Sequence, residues 1–439
     1  MNVNKILPLL MLVNYSWYAQ ERTNLNLKDA LILLEKNNNE ILLAQTKADT
    51  KKLEWQQAKD HQYPDIKIGG QYYYITEPTV DLKLKLPFPP SASPTNINQF
   101  MIGQANANLP LFVGGKIQNS IQATENLYLA EKAKSSTTKE EVSLKVIEYY
   151  ALLYKSLKSV ELISDNIKSA EQRVKDFSNM EKNGIIARND LLKAQLQLVK
   201  IKLSLQEANK NVNVTNYALT TLLNLPEGYQ IGIDEHQFDG QSPISKTIAE
   251  QDALQNRKDL VILDYLQKAN ENNIKIAQSG YYPKIGLSAG YIAMSLQNVI
   301  NVTNAINIGG GISYDLSSLY KTSKEVKTAK NKAEELKLTQ NLLKEGIKIQ
   351  TQQSIENFNL AQDQNKVYQQ AIEQATENYR IVKDKHDNGL ATATELIDAD
   401  VEQLNAKINY ANSRANVLLK YYEMLATSGQ LTTSFNLTK

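Results

Sequence analysis

The sequence predicts a mainly α-helical chain with a membrane β-barrel part, built as two tandem repeats, each holding two β-strands and long coiled-coil-like helices. Three observations carry this expectation. A polar helical run that ends at Tyr-Pro and passes into alternating residues is written twice, at Tyr63-Pro64 and at Tyr282-Pro283, 219 residues later. An Asn-Gly break followed by an acid and two aliphatic residues is also written twice. It stands at Asn183-Gly184 before Asp190-Leu191-Leu192 and, 205 residues later, at Asn388-Gly389 before Glu395-Leu396-Ile397. Between strands and breaks lie runs of some 70 residues without proline, interrupted only by Gly346 in the second. A repeat of this size bounds a fold more tightly than any single residue does.

The first 20 residues stand apart. Lys5 is a short basic region, the stretch 6–13 (ILPLLMLV) is apolar, and Ala19-Gln20 offers a small residue for cleavage. This reads as a signal peptide over 1–19. The first repeat is then expected over 20–240, with strands at about 64–112 and a long helical hairpin at about 114–225. The second is expected over 241–439, with strands at about 283–316 and a hairpin at about 319–426. The helix opening the first repeat should cover 27–61, with Leu31, Leu34, Ile41, Ala44 and Ala48 at roughly helical spacing. Its counterpart should cover 248–279.

The strands are read from period-two alternation. Ile66, Ile68, Tyr72 and Tyr74 oppose Lys67, Gln71 and Tyr73. Met101, Ala105, Ala107 and Leu109 oppose Gln104, Asn106 and Asn108. In the second repeat Ile285, Leu287, Ala289 and Tyr291 oppose Lys284, Gly286 and Ser288, and Ile306, Ile308, Ile312 and Tyr314 oppose Asn307, Gly309, Gly311, Ser313 and Asp315. The Pro-rich segment 86–95 has no counterpart in the second copy. The hairpin loop that holds it is therefore where the extra 14 residues between strand and break in the first copy are expected.

Strands of about ten residues cross a bilayer when tilted. One apolar and one polar face mark a water-filled barrel, and single-chain barrels begin at about eight strands. Two strands per repeat are too few, so partner chains must complete the sheet. At 1.5 Å per residue a 70-residue helix is about 100 Å long, too long to fold onto a compact core, and belongs beside others in a bundle or tube.

Composition narrows the function. A net charge of +2 gives no steering toward nucleic acid. There is no cysteine, which excludes disulfides and thiolate metal sites, and three histidines build no metal centre; no cofactor is expected. No nucleophile–base pairing points to an enzyme. Gly309-Gly310-Gly311 within a strand suits barrel curvature better than phosphate binding.

The ordered set of marks resembles the TolC family of outer-membrane efflux and secretion channels. It comprises 25–34 (LNLKDALILL), both Tyr-Pro entries, 109–116 (LPLFVGGK), 314–321 (YDLSSLYK) and both Asn-Gly tips. The resemblance implies a homotrimer with a twelve-stranded barrel and an α-helical periplasmic tunnel. It implies a passive exit duct of a tripartite efflux or type I secretion system, in outer-membrane lipid. The implied partners are a periplasmic adaptor (membrane fusion) protein and an inner-membrane RND or ABC pump. The alternative is a periplasmic adaptor or coiled-coil scaffold, though adaptors usually carry one hairpin rather than two.

The resemblance also implies a periplasmic constriction at Glu395 and Asp398, past the second tip. A spacing of three places both carboxylates on one helix face; two acids near a helix N-terminus also simply complement its dipole. Asp190 follows the first tip and, with His386, is implied for a gate network. The family's basic partner is replaced by Ala391 and its tyrosine by His386, so the usual latch is absent. Lys182, Arg188, Lys383 and Lys385 are candidates for a substitute. Lys193 stands where the second copy has Asp398.

Overall fold

A computed structural model describes residues 23–76, 98–239, 250–297 and 300–436. The expected signal peptide, the Pro-rich 86–95 segment and the repeat junction at 240–249 lie outside the described residues. In chain order the elements are β1 (Thr23–Leu25), α1 (Leu27–Asn37), α2 (Asn39–Asp60), β2 (Asp65–Tyr74), β3 (Gln99–Phe112), α3 (Lys116–Lys182), α4 (Arg188–Leu222), β4 (Ile231–Ile233), α5 (Glu250–Asn256), α6 (Lys258–Gln278), β5 (Lys284–Leu296), β6 (Ile300–Ser313), α7 (Ser318–Asp387), α8 (Ala393–Thr427) and α9 (Leu431–Ser434). The fold is therefore mainly helical, with long paired helices and two strand pairs, as the repeats predict. Two expected helices are each broken once. The first turns extended at Asn38, whose side chain donates to the Leu222 carbonyl at 2.9 Å. The second breaks at Arg257, whose guanidinium is held by Asp259 and Gln350.

The chain forms two compact units, and neither is a sequence repeat. One comprises residues 40–139 and 251–350, the other 1–39, 140–250 and 351–439. Each unit draws on both copies.

The first of these units carries an antiparallel sheet in the order β2-β3-β5-β6. The sequence predicts hairpin pairing within each copy; the β3–β5 ladder also joins the copies. Its register places Lys67 opposite Asn106 and Asn106 opposite Gly290, while Ile68 opposes Ala105 and Ala105 opposes Tyr291. Apolar and polar residues thus stay on separate faces over the helix-proximal half of the four strands. Ile66, Ile68, Ile306 and Ile308 are all more than two-thirds exposed, so the apolar face is bare in the single chain. Gly114 closes the exit from β3 at φ +63°, where an added Cβ would stand 2.7 Å from the Ser279 carbonyl oxygen.

The second unit is organised around α3. Tyr150 is fully buried; its hydroxyl donates to the Leu25 carbonyl at 2.9 Å and accepts from the Asp234 N–H at 3.3 Å. That one side chain fixes β1 beside β4, which pair in parallel. Phe238, just past β4, stacks on Tyr154 with ring centroids 3.8 Å apart and on Tyr150 at 6.1 Å. Arg414 of α8 donates to the Phe238 carbonyl at 2.7 Å and pairs with Asp239. The crossover between the copies is thereby pinned to both long hairpins. Phe238→Ala should cost about 3–5 kcal/mol, the usual loss for a buried aromatic, seen as a lower denaturant midpoint by helical circular dichroism.

Candidate functional site

Both Asn-Gly breaks fold into the same turn. Gly184 and Gly389 take φ +70° and +73°, with nothing within 4 Å of an added Cβ, so left-handed backbone and not space requires glycine. At the first tip Ile185 N–H bonds to the Met180 carbonyl at 2.9 Å and Gly184 N–H to Glu181 at 2.9 Å. At the second, Leu390 bonds to Lys385 at 2.8 Å and Gly389 to His386 at 2.9 Å. These paired bonds close the helix ends in the Schellman manner. Asn183 and Asn388 add side-chain bonds to the Asn179 and Asp384 carbonyls.

Beneath the turns lies a core shared by four helices. Phe177 of α3, Leu191 and Ala194 of α4, and Ala393, Leu396 and Ile397 of α8 are buried together, with Tyr379 and Val382 of α7 against them. The tips differ at their restarts. Helix α4 begins at Ala187 without a side-chain cap. Helix α8 begins at Thr392 in a full capping box: the Thr392 N–H reaches Glu395 Oε2 at 2.6 Å, its hydroxyl reaches the same oxygen at 2.9 Å, and Glu395 N–H returns to Thr392 Oγ1 at 3.2 Å. Those Thr392 bonds hold the Glu395 carboxyl below its ordinary value, and the charge of Lys385 adds to this. Crowding by like charges would act in the opposite sense. Asp398 is exposed on the same helix, one turn further on.

Asp190 is linked to the second tip through a neighbour. Lys193 stands 3.7 Å from Asp190 Oδ1 and donates to Thr394 Oγ1 of the other hairpin at 2.9 Å. Arg188 stays on its own hairpin, paired with Glu181 at 3.3 Å. Lys182 and Lys383 are exposed near the helix ends. The His386 side chain is 8% exposed and stacks on Phe177, centroids 5.4 Å apart. Its Nδ1 lies 3.5 Å from Asp387 Oδ1 and is buried without a hydrogen bond. His386 therefore serves the tip core, and it is not joined to Asp190.

The strongest polar tie is one that the repeat pattern does not point to. Arg173 of α3 and Asp400 of α8 are 8% and 3% exposed and meet at 3.0 Å; Asn166 donates to the second Asp400 oxygen at 3.1 Å. Burial opposes the Arg173 charge, but the hydrogen bond and charge of Asp400 outweigh it and raise the guanidinium pKa. The sequence does hold a signal for it. Asp400 falls three and four residues after Ile397 and Leu396, inside the apolar stripe of α8, where a lone carboxylate requires a partner. Among the described residues no group of three or more His, Asp or Glu could hold a metal ion, and no helix is long and apolar enough to cross a membrane.

A sheet with one bare apolar face, joined to paired helices that end in two matched, core-packed tips, defines an outer-membrane channel of TolC type. The chain belongs to the outer membrane efflux protein family, matching it over residues 24–225 and 249–430. Solved structures share the fold. CmeC, an outer membrane channel of Campylobacter jejuni, superposes with a TM-score of 0.78 at 15% identity, covering 92% of this chain and 86% of that one. VceC of Vibrio cholerae gives 0.75 at 17% identity, with 92% and 96% covered. The open state of MtrE from Neisseria gonorrhoeae gives 0.73 at 16%, with 92% and 89% covered. No curated protein matched the chain. The protein is thus a non-enzymatic efflux channel of the outer membrane, with a helical periplasmic part.

Two outcomes are expected at the tips. Asp400→Ala strands a buried guanidinium and should cost about 3–5 kcal/mol, most of it regained in the R173M/D400L double variant; denaturant titration of the three chains measures this. The Glu395 carboxyl has a depressed folded pKa, so its stabilisation is complete above the ordinary value of 4.5 and is lost as pH falls through the lower folded value. Amide exchange in the first turn of α8 should accelerate over that acidic range, and less so in Glu395→Gln.

Proposed function

We propose that the channel works as a homotrimer, the passive exit duct of a tripartite efflux or type I secretion system. The observation that carries this is the sheet itself. Four strands with two unpaired edges, β2 and β6, and one bare apolar face cannot close alone. Three copies supply twelve strands and leave no edge. The helical hairpins would meet a periplasmic adaptor and an inner-membrane pump, of the RND or ABC class, while the apolar strand face meets outer-membrane lipid.

At the tips, Glu395 and Asp398 form the periplasmic constriction. Threefold symmetry brings both carboxylates of each copy to one narrow ring, which attracts cations and is blocked by multivalent ones. Within each chain the Thr392 bonds favour the charged form of Glu395. Asn183-Gly184 and Asn388-Gly389 turn the hairpins, and opening is a two-state rearrangement of the tips against their shared core. The Asp190–Lys193–Thr394 link is a cross-hairpin tie near the turns on which a latch could be built.

The chain should fractionate with the outer membrane and run as a heat-dissociable trimer in mild detergent; recovery as a soluble monomer would refute the assembly. In planar bilayers, Glu395→Gln with Asp398→Asn should weaken cation preference and relieve multivalent-cation block. Unchanged selectivity and block would remove these residues from the constriction.

A further inference from the structure

One face of the sheet changes character near the hairpin end. At the helix end, the face bearing Lys67 is small and wet: Asn106 and Asn108 from β3, Ser288 from β5, Asn307 from β6, with glycine at 286, 290 and 309. Further along the same face the side chains become large and, Gln71 apart, apolar. Tyr73 pairs with Phe100 and stacks on it, centroids 6.0 Å apart; Ile102 pairs with Met294, and Phe100 with Leu296.

Strand β6 joins this apolar patch only through a bulge. Between the pairs Ile292–Ala305 and Met294–Val302, β5 advances two residues and β6 three. Asn304 sits at the irregularity with φ +58°. The extra residue reverses the alternation of β6, so Val302 and Ile300 turn to the face that holds Met294 and Leu296. An unbroken ladder would have aimed them the other way. At the same level the opposite face is mixed: Tyr72, Met101, Ser295 and Asn301 lie in one row, and Tyr74 pairs with Gln99 in the next. Aromatic residues of that kind border the lipid band of membrane barrels.

We propose that the outer mouth of the barrel, at the level of these tyrosines, is an apolar collar built from Tyr73, Phe100, Ile102, Met294, Leu296 and Val302 of each copy. The collar determines specificity: it admits neutral or amphiphilic solutes more readily than small charged ones. It rests on the closed-barrel reading above. A lumen that tapers from glycine and asparagine to large apolar side chains favours dewetting. A charge crossing it must shed hydration, and each ~1.4 kcal/mol of that cost slows passage about tenfold.

The chain has no cysteine, so single cysteines report directly. Ile102→Cys and Met294→Cys probe the collar, Asn106→Cys the wet half, and Met101→Cys the opposite face. Each is made in the full chain, checked as an outer-membrane trimer, and treated on intact cells with a quaternary-ammonium methanethiosulfonate or a small uncharged maleimide. Val302→Cys replaces any collar variant that does not assemble. The ratio of uncharged to charged labelling at collar positions should exceed that at Asn106→Cys by about tenfold, with Met101→Cys unreactive to the charged probe. Equal ratios at collar and wet-half positions would overturn the collar while leaving the trimeric channel intact. Charged labelling of Met101→Cys in place of Ile102→Cys would overturn it by inverting the faces. A soluble monomer would instead remove the barrel on which the collar depends.

Discussion

Everything in this protein follows from a hydrogen-bonding constraint. In hydrocarbon no water can satisfy a backbone N–H or C=O, so a strand in the membrane must be paired on both sides. The β2-β3-β5-β6 sheet pairs its interior strands fully and leaves two edges open. A duplicated hairpin doubles the number of strands without reaching closure. The demand for further strands is therefore built into the chain, as is the bare apolar face that lipid must cover.

The helical end answers a different constraint. Helices this long expose two free ends to each turn, and both turns use the left-handed glycine that closes such ends most simply. Packing then makes the copies unequal. The second restart is capped by Thr392 and Glu395, and the first has no side-chain cap. Four helices share one apolar core below the turns, and the Arg173–Asp400 pair is set into the same stack. A buried pair of this kind costs as much desolvation as it returns in attraction. Its value lies in specifying one register between α3 and α8, since a shift of either helix would strand a charge.

Much of this architecture is legible in the order of residues. Period-two alternation marks all four strands, and proline-free runs between Asn-Gly breaks mark the long helices. The helix breaks at Asn38 and Arg257 are not legible there, because long-range bonds to Leu222 and Gln350 hold them in residues that tolerate helix. The bulge at Asn304 is hidden for a related reason: alternation along one strand does not show where its neighbour gains a residue. The resemblance implies a gate network of Asp190 and His386 without saying what each touches; the stacking of His386 on Phe177 appears only in the folded chain. Lys193, visible in the sequence only as an exchange of acid for base between copies, is the bridge to Thr394.

The sequence by itself determined the duplication, the alternation of helix and strand, the two glycine turns and the incompleteness of the sheet. These are local or periodic properties, set by side-chain spacing and by the few backbone angles a residue can adopt. Only the tertiary structure decided which charges are buried together, how the compact units cut across the repeats, and which way the ends of the strands face. Those outcomes depend on pairs of residues far apart in the chain, and a spacing rule read along one segment contains no term for them.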